Sequence, residues 1–332
     1  VFHTPLLWLS IKNKLVSTPA DAIAHVLVIL GRYGKWVLPT GLLAALLLPN
    51  AALAIQSAIA PLLAVLLVIS FLQINLQDTI GFVQSFRPLL LYALLMQLLL
   101  PLLLYFGLDS LRVPREWLVP TVLVAAASCI AGGPSLVIML RGNGAQAIRL
   151  LLVSTLSLPI TSFPVLALLQ LHASLPMLLR TVGVLFAVVL GAYVVARLLR
   201  RYWLGPLNNM QKARLDGLSA FVLAFLVIGL MAAMHTAWDN PMLILKTLLI
   251  ATVVNFGLQC VGVLLNRVLG MQLPTTLGVM TGNRAVAIFL TALPVNVYQP
   301  YLLFIACYQI PMYLTPLLGQ FIYKNFANES SR

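Results

Sequence analysis

Residues 274–294 read PTTLGVMTGNRAVAIFLTALP, and the fold turns on how they are taken. Their length and apolar content suit a membrane crossing, which takes about 20 such residues. Yet Thr281, Gly282, Asn283 and Arg284 stand at the middle. Glycine weakens a helix interior, and the guanidinium pKa is too high for arginine to shed its charge. An arginine at mid-membrane costs from about 3 to more than 10 kcal/mol. The segment is therefore a crossing only if it is broken and something holds its cation.

The composition makes it a crossing. The 332 residues are 61% hydrophobic and 8% charged, against roughly a quarter charged in soluble domains. The formal charge of +13 does not indicate a nucleic-acid partner, because the Lys and Arg residues lie between apolar runs rather than on one face. That placement follows the positive-inside rule. Cys129, Cys260 and Cys307 fall within apolar runs without a CxxC pair, which suggests neither a disulfide framework nor a metal site. Residues 1–20 lack the compact charged-then-apolar pattern of a cleaved signal peptide.

Apolar runs between loop signals predict ten spans, at 34–48, 53–74, 88–108, 117–140, 145–171, 176–199, 214–236, 242–268, 274–294 and 300–323. The segment 21–33 reads as an amphipathic lead-in. With the N-terminus inside, fifteen Lys and Arg residues fall on inner segments and four on outer ones, with Arg284 left in the membrane. Both termini are therefore expected in the cytoplasm, and the membrane is expected to be a bacterial inner membrane.

A second span is broken at the matching place. Span four contains AASCIAGGPSLVIML, where Gly132, Gly133 and Pro134 are consecutive. Proline donates no backbone hydrogen bond, so this span is expected to unwind there. Spans four and nine are the fourth members of two five-span halves, 34–171 and 176–323. An odd number of spans per half inserts the second half upside down. Interrupted helices at corresponding positions of inverted repeats point to a transporter binding site, although Gly and Pro also simply kink membrane helices.

The polar census narrows the chemistry. The seven carboxylates are Asp21, Asp78, Asp109, Glu116, Asp216, Asp239 and Glu329, and none lies deep in a predicted span. Membrane proton relays usually use buried Asp, Glu or His, and the four histidines sit near span ends. Arg284 therefore needs unwound carbonyls, a wet cavity or an anionic ligand, and guanidinium matches carboxylate, sulfate or phosphate in two-point fashion. Gln97, Asn255, Gln259, Tyr308 and Gln309 are expected at the same depth. With Thr281, Asn283, Arg284, Gly133, Pro134 and Ser135 they form the candidate substrate site. Arg149 opens span five and is expected to snorkel to the cytoplasmic face.

The chain resembles the bile acid:sodium symporter family. The resemblance runs over most of residues 30–323 and is carried by GRYGKWVLPTGLLAALLLP, LLMQLLLPLL and GGPSLVIMLRGNGAQAIRLLLVSTLSLP. It implies an all-α polytopic membrane protein of ten helices in two inverted repeats, with broken helices four and nine crossing. A panel domain (34–74 plus 176–236) would face a core domain (88–171 plus 242–323). It also implies carriage of organic anions by alternating access.

The departures bear on coupling. Family members hold two sodium ions near the crossover. Of those ligands Ser135 is kept, but its asparagine partner falls on Leu136 and two hydroxyl ligands fall on Ala147 and Leu151. The glutamate of span nine falls on Met280 and a glutamine on Arg284; Gln97 is retained. A guanidinium about 4 Å from a sodium ion opposes it by on the order of 4 kcal/mol at an effective dielectric near 20. The expectation is a sodium-independent transporter of a small organic or inorganic anion, with no cofactor and no enzymatic activity. The alternatives are a sodium symporter with an altered ion site at Ser135, Gln97 and Asn283, a metalloid carrier using Cys129, a membrane-embedded enzyme, and a structural or receptor role.

Overall fold

A computed structural model describes residues 19–32, 34–73, 79–171 and 174–324. The described chain is helical throughout, apart from one isolated antiparallel bridge. Six of its helices are long and apolar enough to cross a membrane: Phe86–Ser110, Gly144–Leu168, Leu175–Leu204, Asn209–Thr236, Pro241–Leu269 and Val295–Ile322. Large apolar side chains on their outer faces, such as Phe186, Val253 and Val268, are exposed. In water such surfaces would aggregate, whereas lipid covers them. The protein is an integral membrane protein.

The helices in chain order are α1 (Pro19–Arg32), α2 (Gly34–Leu47), α3 (Pro49–Gln56), α4 (Ile59–Leu72), α5 (Thr79–Leu94), α6 (Leu100–Ser110), α7 (Arg115–Ala126) and α8 (Gly133–Met139). After these come α9 (Gly144–Leu168), α10 (Leu175–Leu199), α11 (Asn209–Thr236), α12 (Pro241–Leu269), α13 (Pro274–Gly282), α14 (Val295–Tyr298) and α15 (Leu302–Ile322). Six of the ten expected spans correspond to the long apolar helices; 117–140 and 274–294 are short helices on either side of a break, and the fit is also uneven at the start. Spans 34–48 and 53–74 are three helices, because the chain turns by 105° between α2 and α3. Pro49 opens α3, and Leu48 before it leaves the helical conformation (φ −121°, ψ 69°), since a following proline disfavours the α region. Counting α2 and α3 as one bent crossing gives seven candidates.

Local signals explain the long helices. Asn208 and Gln211 form a reciprocal capping box at the start of α11. Asn240 caps α12, and the left-handed Gly270 (φ 63°) ends it. Between α5 and α6, Leu95–Leu99 forms a π turn. Pro101 has no N–H to return to the Gln97 carbonyl, so the helix widens there. A second π turn, Arg200–Leu204, ends α10 with Tyr202 and Trp203 exposed and Arg201 lying 5.6 Å over the Tyr202 ring. Aromatic and basic residues of this kind favour the headgroup level.

Packing separates two groups of helices. Helix α11 packs against α1, α2, α3 and α4, and α10 packs against α4. Helix α12 packs against α13 and α15, while α9 packs against α5 and α8. Contacts of α9 with α10 and of α11 with α15 join the groups.

Candidate functional site

The two expected breaks meet. After α7 the backbone is extended at Ala127 (φ −65°, ψ 159°), and after α13 it is extended at Asn283 (φ −103°, ψ 93°). Ile130 N donates to Asn283 O at 3.0 Å and Ala285 N donates to Ser128 O at 2.8 Å, so Cys129 and Arg284 form an antiparallel bridge. Each break thus supplies backbone partners that its own helix no longer provides, as hydrocarbon surroundings require.

Arg284 is buried, with 1% of its surface exposed. Its Nε donates to Thr281 O at 2.8 Å and its Nη1 to Ala127 O at 3.1 Å. The side chain therefore ties the end of one broken helix to the end of the other. Its Nη2 is buried without a hydrogen-bond partner. A guanidinium has five donors and no acceptor, so this leftover nitrogen can be satisfied only by an acceptor from elsewhere.

Most other candidate residues hold the crossover in place. Gln97 Nε2 donates to Ala127 O (3.3 Å) and Ser154 O (2.9 Å), and its Oε1 accepts from Ser157 Oγ (2.8 Å). Asn255 Nδ2 donates to Gly282 O at 2.6 Å, and the Tyr308 hydroxyl donates to the same carbonyl. Gln259 Nε2 donates to Asn255 Oδ1 (2.8 Å) and Thr315 Oγ1 (3.2 Å), and its Oε1 accepts from Tyr323 OH (3.0 Å). Asn283 Nδ2 donates to Val279 O, and Thr281 Oγ1 donates to Leu277 O while lying against the Tyr92 hydroxyl. This network satisfies amides that would otherwise be costly in hydrocarbon.

Gln97 offers a direct check. Replacing it with methionine keeps the bulk but removes the amide's bonds to the Ala127 and Ser154 carbonyls and to the Ser157 hydroxyl, which keeps only its 3.3 Å bond to Ser154 O. Stability should fall by about 2 kcal/mol, read as an earlier thermal transition of the purified protein in detergent. An unchanged transition would mean that the amide does not hold the break.

Two cavities adjoin this frame. One, of about 40 Å³, lies where the crossover faces α4 and α11 and is lined by Ser128, Cys129, Arg284, Gln309 and Tyr313 with Leu63, Leu66, Leu67, Leu223 and Leu226. The other, of about 1100 Å³, is a vestibule lined by Pro134, Ser135, the α9 face from Gly144 to Ile160, and Phe71, Leu190 and Tyr193. Among the described residues its lining includes Arg149, Arg197, Arg200 and Lys212 and one carboxylate, Asp216, which accepts from Gln73 Nε2 at 2.9 Å. The candidate residues therefore divide. Arg284 and Gln309 line the small cavity, Pro134 and Ser135 line the vestibule, and Gln97, Asn255, Gln259, Thr281, Asn283, Gly133 and Tyr308 line neither.

No known protein family matches this chain, and no curated protein is similar to it.

Sequence reasoning passed over Ser128 and Tyr313. Each has a buried hydroxyl without a hydrogen-bond partner, and both line the small cavity with Arg284. For Tyr313 a signal existed, because it stands four residues after Gln309 and so shares its helix face. For Ser128 there was none, since a serine beside a break commonly bonds back to its own helix.

Proposed function

We propose that the protein is a secondary transporter of small anions, with Arg284 as a cation built into the crossover. The buried guanidinium with one nitrogen left over carries this reading. A cation in an apolar interior needs an opposite charge or a full set of acceptors, and Arg284 has two carbonyls and no carboxylate beside it. An arriving anion would complete the set.

In this reading the chain has ten spans in two inverted halves, 34–171 and 176–323. A panel of 34–74 plus 176–236 moves against a core of 88–171 plus 242–323. The matched, mutually bonded breaks support it, as does a vestibule with four cations against one carboxylate. A lining of one sign raises the local concentration of oppositely charged solute. The vestibule's four cations, Arg149, Arg197, Arg200 and Lys212, belong to segments that the positive-inside count assigns to the cytoplasm, where both termini would lie, in a bacterial inner membrane. The chain would be a diverged relative of the bile acid:sodium symporters, and it would carry solute without chemical conversion.

Transport would not require sodium. Ala127 O, a carbonyl of the type an alkali ion needs, accepts from both Gln97 and Arg284, and its two lone pairs are thereby used. The positions aligned with sodium ligands hold Leu136, Ala147, Leu151 and Met280, all buried and apolar. Vesicles containing the purified protein should take up radiolabelled small carboxylates at rates equal within about twofold in sodium and potassium media. A steep sodium requirement would overturn this point and favour an ion site around Ser135 and Gln97.

A further inference from the structure

The geometry points to a three-donor site for a compact monovalent anion in the crossover cavity, formed by Arg284, Ser128 and Tyr313; it rests on the anion-transporter reading and deepens it. Three facts coincide at one place. The buried side-chain atoms without a hydrogen-bond partner include Arg284 Nη2, Ser128 Oγ and Tyr313 OH. Their residues are 1% exposed in each case. All three line the same small cavity, which no carboxylate lines.

Two hydroxyls and a guanidinium have the donor capacity to surround an anion. Unsatisfied, each buried group is a cost; turned on one anion, they become charge-assisted hydrogen bonds. Apart from Gln309 and Cys129, the rest of the wall is aliphatic residues and Met312, which strengthens the electrostatic interaction by keeping the dielectric low. Size sets the ligand class. A water needs roughly 10–15 Å³ on the same measure, so about 40 Å³ holds a chloride, a nitrate, or a formate-sized carboxylate. The steroid-sized bodies that the family resemblance would suggest do not fit there. Gln309, the one amide among the described lining residues, has one of its two N–H groups on Ile305 O at 3.2 Å.

The hydroxyl variants separate binding from structure. The full chain in detergent would be titrated with potassium nitrate or potassium formate against potassium gluconate at constant ionic strength, with thermal unfolding as the readout. Nitrate and formate should raise the transition saturably. Tyr313→Phe and Ser128→Ala should each weaken that response about tenfold, the loss of one hydrogen bond to a charged group. Neither should lower the transition in gluconate, because each removes a hydroxyl that has no protein partner.

Wild-type nitrate and formate affinity in both hydroxyl variants would overturn the three-donor site. So would a lowered transition in gluconate with an unchanged anion response, the mark of groups that serve structure alone. In either case the transport reading stands or falls separately on carboxylate uptake by vesicles. Saturable stabilisation by gluconate with none by nitrate, formate or chloride would overturn the size assignment while leaving Arg284 as an anion partner.

Discussion

Arg284→Met should lower anion transport by roughly a hundredfold while leaving a folded protein. The variant gives up the charge-assisted contact of Nη2 with the solute, worth about 3 kcal/mol. Its structural consequences largely offset one another. Two hydrogen bonds to carbonyls are lost, at about 1.5–3 kcal/mol each, but a buried charge whose desolvation costs several kcal/mol is also removed. Ala127 O keeps its bond from Gln97, so Thr281 O is the carbonyl left short. Thermal unfolding in detergent should therefore move by only a few degrees. Arg284→Lys should recover little, since an ammonium cannot reach two carbonyls and an anion with a planar fork. Uptake rates and melting of the same preparations decide the matter. Transport at the wild-type rate in Arg284→Met would end the reading of this residue as the resident cation.

Gly282→Ala should lower stability strongly. Gly282 ends α13 where it crosses α12, and an added Cβ would meet the Gln259 side chain and come within 2.7 Å of the Asn255 carbonyl oxygen. The side chain could move, but the backbone oxygen belongs to a helix packed along its length. Overpacking of this kind costs about 1–3 kcal/mol, and here it also displaces the Gly282 carbonyl that accepts from Asn255 and Tyr308. A loss of about 3 kcal/mol or failure to accumulate folded protein is expected. Gly257→Ala on the same α12 is the control. Nothing lies within 4 Å of a Cβ there, so it should be neutral or stabilising by about 0.5–1 kcal/mol. Equal behaviour of the two variants would show that the close approach at Gly282 does not matter.

The sequence carried the local features of the fold well. Gly132, Gly133 and Pro134 announce one interruption and Gly282 the neighbourhood of the other, because helix breaking depends on a residue's own conformational limits. The long spans from Gly144 to Leu269 were legible for a similar reason, since each is a continuous apolar run and three of the four have an asparagine cap at the start. Less legible was the first crossing. Pro49 followed an unbroken apolar run, and hydropathy does not register a turn of 105°.

The site was legible as a level in the membrane but not as a set of contacts. Listing Gln97, Asn255, Gln259, Asn283 and Tyr308 found the polar residues at the right depth. Whether such an amide faces a cavity or satisfies a neighbour depends on what packs beside it. Gln97 meets a carbonyl 57 positions away and Arg284 meets one 157 positions away, distances over which residue patterns hold no information.

By itself, then, the sequence determined the solvent, the two interruptions and the presence of a permanent charge without a carboxylate near it. These follow from composition and from backbone chemistry at single residues. Tertiary structure alone decided that the interruptions bond to each other, that Gln97 and Arg284 share one carbonyl, and that Ser128 and Tyr313 line one small cavity with Arg284. Those are matters of which donor finds which acceptor, and in a medium without water only three-dimensional proximity can answer them.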